Sequence, residues 1–229
     1  TPALALFSEV IGRPTFPEES LARIQNQLLA GFEQQKQNPG KLASLALFEH
    51  LYGSHPYAHA SEGNAQSIPA IDSTALRAFH ARAYSAGNAV IALVGDLSRS
   101  EAEAIAKQVS NALPQGPAMA KLVQAEPPKA ARQHIEFPSA QTTLMLAQLG
   151  IDRQDPDYPA LYLGNQILGG GGFGTRLMEE VREKRGLTYG AYTWLADYDQ
   201  ADLLAGQFAT DNRTAAEAAQ KAAAFVRRI

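Results

Sequence analysis

The chain has 229 residues, 45% of them hydrophobic and 19% charged, with no cysteine and a formal net charge of -3 from 20 basic and 23 acidic side chains. A chain of this length buries roughly 70% of the surface its unfolded form exposes, and the composition is globular, so a core needs no metal or disulfide staple. Missing cysteine excludes disulfides, thiolate nucleophiles and cysteine-held zinc or iron–sulfur centres; no basic block favours nucleic acid, and no apolar run reaches the roughly 20 residues of a bilayer crossing.

In chain order, Pro2 to Ile11 carries the Leu4, Phe7, Ile11 spacing of a helix already under way. Leu21, Ile24, Leu28 and Phe32 mark one face of a helix from Glu18 to Gln37, which Pro39-Gly40 stops. Lys41 to Leu51 is a second helical stretch, Gly53 to Pro69 a polar loop, and Ser73 to Ala83 a third helix with Leu76 and Phe79 inward. Ala89 to Val94 reads as a short strand buried on both faces. Ser98 and Glu101 form the capping-box signature of a helix that runs to Asn111. Periodicity then lapses from Leu113 to Arg132, the mark of a linker.

Beyond it, His134 to Phe137 and Thr142 to Leu149 are strand candidates, Tyr158 to Leu168 is a helix, and the run Gly169, Gly170, Gly171, Gly172, Phe173, Gly174 breaks it. Thr175 to Arg185 is helical again, with Gly186 as its stop. Leu187 to Leu195 and Ala201 to Thr210 read as a strand pair, and Thr214 with Glu217 opens an Ala-rich helix into Phe225-Val-Arg-Arg-Ile. Each half mixes strands and helices and reads as a helix-covered sheet; both ends look like interruptions in a larger protein.

Three sets of residues carry candidate chemistry. His55 and His59 have the i,i+4 separation of two zinc ligands, yet Pro56 makes the stretch a loop and no glutamate stands between them as a base, so structural or surface histidines are expected. The glycine run lacks the Lys-Ser/Thr of a phosphate loop and a preceding strand; a backbone-rich loop approaching a ligand, or a plain flexible turn, is the expectation. Arg182 and Tyr189 flank the turn at Gly186, where a tight return would bring both tips toward one spot. A guanidinium and a phenol both donate to carbonyl oxygen and can stabilise a developing oxyanion, but they supply no nucleophile. An arginine near a helix C-terminus also has an ordinary electrostatic reason to be there.

These residues sit within longer strings: Pro39-Gly40, Tyr52-Gly-Ser-His-Pro-Tyr57, Gly63, Ile68, Phe79, Tyr84, Asn88 and Val94-Gly-Asp96, then Asn165-Gln-Ile-Leu-Gly-Gly-Gly-Gly-Phe173, Thr175-Arg-Leu177 and Val181-Arg-Glu-Lys-Arg-Gly-Leu-Thr-Tyr189. On them the whole chain resembles the middle of a two-domain M16 peptidase, the pitrilysin, insulysin and mitochondrial-processing-peptidase group, in its bacterial M16B-like form. The resemblance implies an α+β fold of tandem M16 (LuxS/MPP-like) domains, each a mixed or antiparallel sheet covered by helices and both incomplete here. Residues 1–117 would be the C-terminal part of the first domain, 118–132 the linker and 133–229 the N-terminal part of the second.

The family holds zinc through H-x-x-E-H and a distal glutamate, and its second domain grips the substrate carbonyl through an arginine and a tyrosine, which Arg182 and Tyr189 match. This chain has no H-x-x-E-H, and Gly31 stands where the distal glutamate would; Glu33 would need a two-residue slip, about 200° around a helix. The resemblance therefore implies a zinc-lacking arginine–tyrosine subunit with no metal or cofactor of its own, no residue acting on the scissile bond itself, and Gly169 to Phe173 as a substrate-approaching loop. Zinc would lie in a zinc-bearing M16 partner that forms a heterodimer with this chain and acts on unfolded peptides, with self-association as the other option for partners. Two alternatives stay open: a fragment of an intact zinc endopeptidase whose motif lies upstream, and a non-enzymatic scaffold. Family habit favours the periplasm or cell envelope, with the cytoplasm an option.

Overall fold

The computed structural model describes residues 1–226. In chain order they form helices α1 (Pro2–Gly12), α2 (Glu18–Gln35), α3 (Pro39–Tyr52), α4 (Ser73–Ala83) and α5 (Arg99–Ala112), strand β1 (Gln141–Leu149), helix α6 (Tyr158–Asn165), strands β2 (Ala191–Ala196) and β3 (Leu203–Asp211), and helix α7 (Ala215–Val226). Two π-helical turns, Gln166–Gly170 and Met178–Glu183, lie between α6 and β2. The residues fall into two compact units: Thr1–Phe32 with Gly63–Leu122, and Glu33–Glu62 with the chain from Val123 onward.

The first unit is helical, and its helix starts are written locally. Asp72 accepts from the Ala75 backbone at the head of α4, and Ser98 and Glu101 close a reciprocal capping box on α5. Ile68, Val109 and Leu113 are its buried hydrophobic side chains among the described residues. Side chain–backbone hydrogen bonds tie the rest. His80 Nε2 donates to the Ile11 carbonyl at 2.7 Å, Ser73 Oγ to Phe16 at 2.8 Å, and Gln25 Nε2 to both Ile68 and Ile71 at 2.9 Å. Phe79, read as inward-facing, is exposed beneath the Arg82 guanidinium; Ser73 and His80 are the buried positions of α4, with the His80 ring stacked on Tyr84.

The second unit carries the sheet, antiparallel throughout, in the order β1-β3-β2. Central β3 pairs Leu146 with Gly206 on one side and Thr193 with the same glycine on the other. Leu168, Leu177, Val181, Leu187, Ala191, Leu204, Phe208 and Ala218 form its core. A second cluster gathers Leu51, Tyr52 and Leu203, with the Tyr52 hydroxyl donating to the Ala201 carbonyl at 3.2 Å. Here α3 begins where the sequence pattern placed a stop: Asn38 caps it and Pro39 occupies the first turn, where a missing N–H costs nothing.

The expected tandem pair of M16 domains, each with its own sheet, is overturned. The described residues hold one three-stranded sheet in a single α+β domain, and neither Ala89–Val94 nor His134–Phe137 is a strand. A strand needs a hydrogen-bonded neighbour, and Ala89–Val94 has none among the described residues. Its apolar side chains are therefore not enclosed, with Val90 96% and Val94 100% exposed. The glycine run does not simply end the preceding helix either, because the helical path continues through Gly169 and Gly170 as a π turn.

Candidate functional site

The site region is built on the second π turn and the return that follows it. Thr175, almost fully buried, donates through Oγ1 to the Gly172 carbonyl at 3.1 Å and accepts the Met178 N–H at 3.5 Å, so it terminates the glycine loop and opens the helical turn together. Leu177, Met178 and Val181 then point into the core, the spacing of one helix face. Their burial leaves Arg182, the next residue, on the outer flank. Its guanidinium lies over the Phe173 ring, 4.9 Å from the centroid, a cation–π contact that joins the arginine to the tip of the glycine run.

The chain reverses at Gly186, whose φ of 60° lies in the left-handed region that a Cβ disfavours. Gly186 N–H donates to the Arg182 carbonyl at 2.8 Å and Leu187 N–H to Val181 at 2.9 Å, which closes the return. Thr188 then pins the outgoing segment to β3: its hydroxyl donates to the Ala209 carbonyl at 2.6 Å and accepts from Gly190 N–H at 3.1 Å. Leu187 and Thr188 are buried, whereas Tyr189 between these pins is 84% exposed. Thr188 stands within the arginine–tyrosine string, but nothing in the sequence singles it out as the pin.

Two carboxylates on the same turn, Glu179 and Glu180, are engaged by cations other than Arg182. Glu180 accepts from Lys184 and from Arg185 at 2.5 and 2.6 Å, and Lys184 also reaches Glu179 at 2.8 Å. The hydrogen bonds from Lys184 and then Arg185 pull the Glu180 carboxyl down to about 2. Among the described residues, no carboxylate forms an ion pair with Arg182. A half-buried guanidinium braced on an aromatic ring and an exposed phenol can each donate to an acceptor such as a peptide carbonyl.

Zinc does not fit the residues present. The described residues contain no group of three or more His, Asp or Glu side chains able to hold a metal ion. His55 is buried, with Nδ1 accepting the Tyr57 N–H at 3.2 Å and Nε2 donating to the Val123 carbonyl at 2.9 Å, so both ring nitrogens are occupied. A 3-10 turn separates it from exposed His59. Gly31, in the interior of α2, offers no ligand.

Comparison with known proteins follows the same lines. A family model described as the Peptidase M16 inactive domain matches residues 70–229. The crystal structure of a peptidase M16 inactive domain from Pseudomonas fluorescens is 64% identical and superposes with a TM-score of 0.96 over 99% of this chain and 55% of that one. A non-peptidase homolog, YmxG, from Helicobacter pylori is 28% identical across 83% of this chain and 44% of its own length. The periplasmic protease PqqL from Escherichia coli shares the fold at a TM-score of 0.67, with 14% identity over 99% of this chain and 25% of that one. The chain thus spans about half the length of its nearer matches.

Proposed function

The chain belongs to the Peptidase M16 inactive domain family, and from that membership we propose that it is the non-zinc half of a peptidase, offering Arg182 and Tyr189 to the carbonyl of a peptide held by a zinc-bearing M16 partner. The metal and its chemistry belong to that partner. Arg182 and Tyr189 donate hydrogen bonds to the carbonyl oxygen, an interaction that strengthens as charge develops on it, and the Gly169–Phe173 loop lies alongside through the Phe173–Arg182 contact. The observation that carries this reading is an arginine in no ion pair among the described residues, with Glu179 and Glu180 engaged by Lys184 and Arg185, together with an exposed tyrosine on a pinned segment.

A second reading is favoured by the relative bearing the name non-peptidase homolog and by the lack of a metal-holding cluster among the described residues: a scaffold of the same fold without peptide turnover. Peptide hydrolysis by the complex with its zinc-bearing relative, with wild-type chain and with Tyr189→Phe, separates the two. Loss of one such donor lowers kcat by about 100-fold or more if it acts on the developing oxyanion, whereas a scaffold loses nothing. The periplasm or envelope is the compartment we infer, supported by the fold shared with a periplasmic protease.

A further inference from the structure

Phe173 stands at the tip of the glycine run, 68% exposed, with Gly172 before it and Gly174 after it. Gly172 has a φ of 86°, in the left-handed region, and its carbonyl is held by Thr175 Oγ1 at 3.1 Å, so the turn that carries Phe173 is anchored at its base. Open space surrounds both flanking glycines. The ring itself is engaged by Arg182, whose guanidinium carbon lies 4.9 Å from the ring centroid. Among the described residues, Arg182 forms no ion pair that would hold it instead.

The choice of an aromatic partner has a chemical consequence. A half-exposed arginine has many accessible rotamers, and ordering it at the moment of binding lowers affinity, so a partner that orders it beforehand removes that loss. A carboxylate would do this through a bidentate pair, which occupies the same N–H groups that a substrate carbonyl needs and sets a negative charge beside the oxygen on which charge develops. A phenyl ring offers no lone pair. It attracts the cation through the quadrupole of its face and leaves N–H donors for another acceptor. Phe173 can therefore fix the arginine and keep it a donor.

We propose that Phe173 is a positioning residue for Arg182: its ring sets the guanidinium in place before a peptide arrives, and it acts on hydrolysis through Arg182 rather than by touching the peptide. The inference rests on the reading that Arg182 binds the substrate carbonyl. It gives the tip of the glycine run a role separate from contact with the substrate.

Two measurements test it. In the full chain, the Arg182 Nε–H resonance, assigned by its loss in Arg182→Lys, is expected to carry a ring-current shift that disappears in Phe173→Leu and returns in Phe173→Tyr. Hydrolysis of a fluorogenic peptide is then followed for the complex with the zinc-bearing relative. Phe173→Leu, at an exposed position that leaves the core intact, should lower kcat/KM by about two- to fivefold, the range of an exposed cation–π contact. Phe173→Tyr should restore turnover, and Phe173→Glu should lower it by about tenfold or more, because the carboxylate takes the Arg182 donors. In an Arg182→Ala background, Phe173→Leu should have no further effect. An arginine resonance unmoved by Phe173→Leu, or wild-type turnover in Phe173→Leu while Arg182→Ala is impaired, overturns this inference alone. An equal loss from Phe173→Leu with and without Arg182 also overturns it and assigns the ring to the peptide. Unchanged turnover in Arg182→Ala overturns the carbonyl-binding reading, and this inference with it.

Discussion

The two compact units reach order by different means. The sheet unit buries Met178, Val181, Leu203 and Leu204 almost completely, and its main apolar cluster, which includes Leu177 and Val181, holds the π turn carrying Arg182. The helical unit buries few large side chains and relies on helix caps and on side chains that reach distant backbone carbonyls, as His80, Ser73 and Gln25 do. Hydrophobic burial is cooperative within a packed core, whereas a cap or a single hydrogen bond contributes about 1 kcal/mol on its own. The difference teaches that a side chain needing fixed geometry is better held by the first kind of support, and the two residues proposed to bind a carbonyl, Arg182 and Tyr189, both lie in the sheet unit.

The largest test of this contrast compares core truncations. Met178→Ala should cost about 2–5 kcal/mol in urea unfolding, because it empties a site with no exposed surface. Leu6→Ala in the helical unit should change stability by less than about 0.5 kcal/mol, because Leu6 is already largely exposed. Comparable losses at both positions would erase the distinction.

Glycines sharpen it next. Gly169→Ala should destabilise by about 1–3 kcal/mol, since its Cβ meets both Oγ1 and the backbone nitrogen of Thr193 below 3 Å. Gly31→Ala, in a helix interior with open space around it, should stabilise by about 0.5–1 kcal/mol. Thermal unfolding of the two variants should move in opposite directions. Ser98→Ala, which opens the capping box of α5, should cost about 1 kcal/mol.

How much of this was legible in the sequence follows the same division. The helix start marked by a cap at Ser98 was readable because the responsible atoms lie within four residues of one another. Ala89–Val94 misled because an apolar run states only that burial is favourable, while a strand requires a neighbour that the run itself cannot name. Phe79 misled in the opposite sense, since tertiary hydrogen bonding placed His80 inward instead. At the site, the arginine–tyrosine string was recognisable, but the Phe173–Arg182 contact and the Thr188 pin depend on where the return folds.

The smallest expected effect is electrostatic. Glu180 has its folded value drawn down to about 2 by Lys184 and Arg185, below its ordinary carboxylate value. The unfolded chain therefore takes up the proton first as pH falls, so the stabilisation is complete above about pH 5 and declines toward pH 2. Glu180→Gln should flatten that part of the stability profile slightly while leaving the plateau near neutrality almost unchanged, since the pair is exposed to solvent. A steep acid transition that persists unaltered in the variant would place the titrating group elsewhere.

The central claim is that Arg182 and Tyr189 act together on one carbonyl. Peptide hydrolysis by the complex with a zinc-bearing relative, measured for Arg182→Ala, Tyr189→Phe and the double variant, tests it most directly. The account predicts that each single substitution lowers kcat/KM by about 100-fold or more, with the double variant losing less than the product of the two, as groups acting on one atom do. Turnover left unchanged by both single substitutions would contradict it.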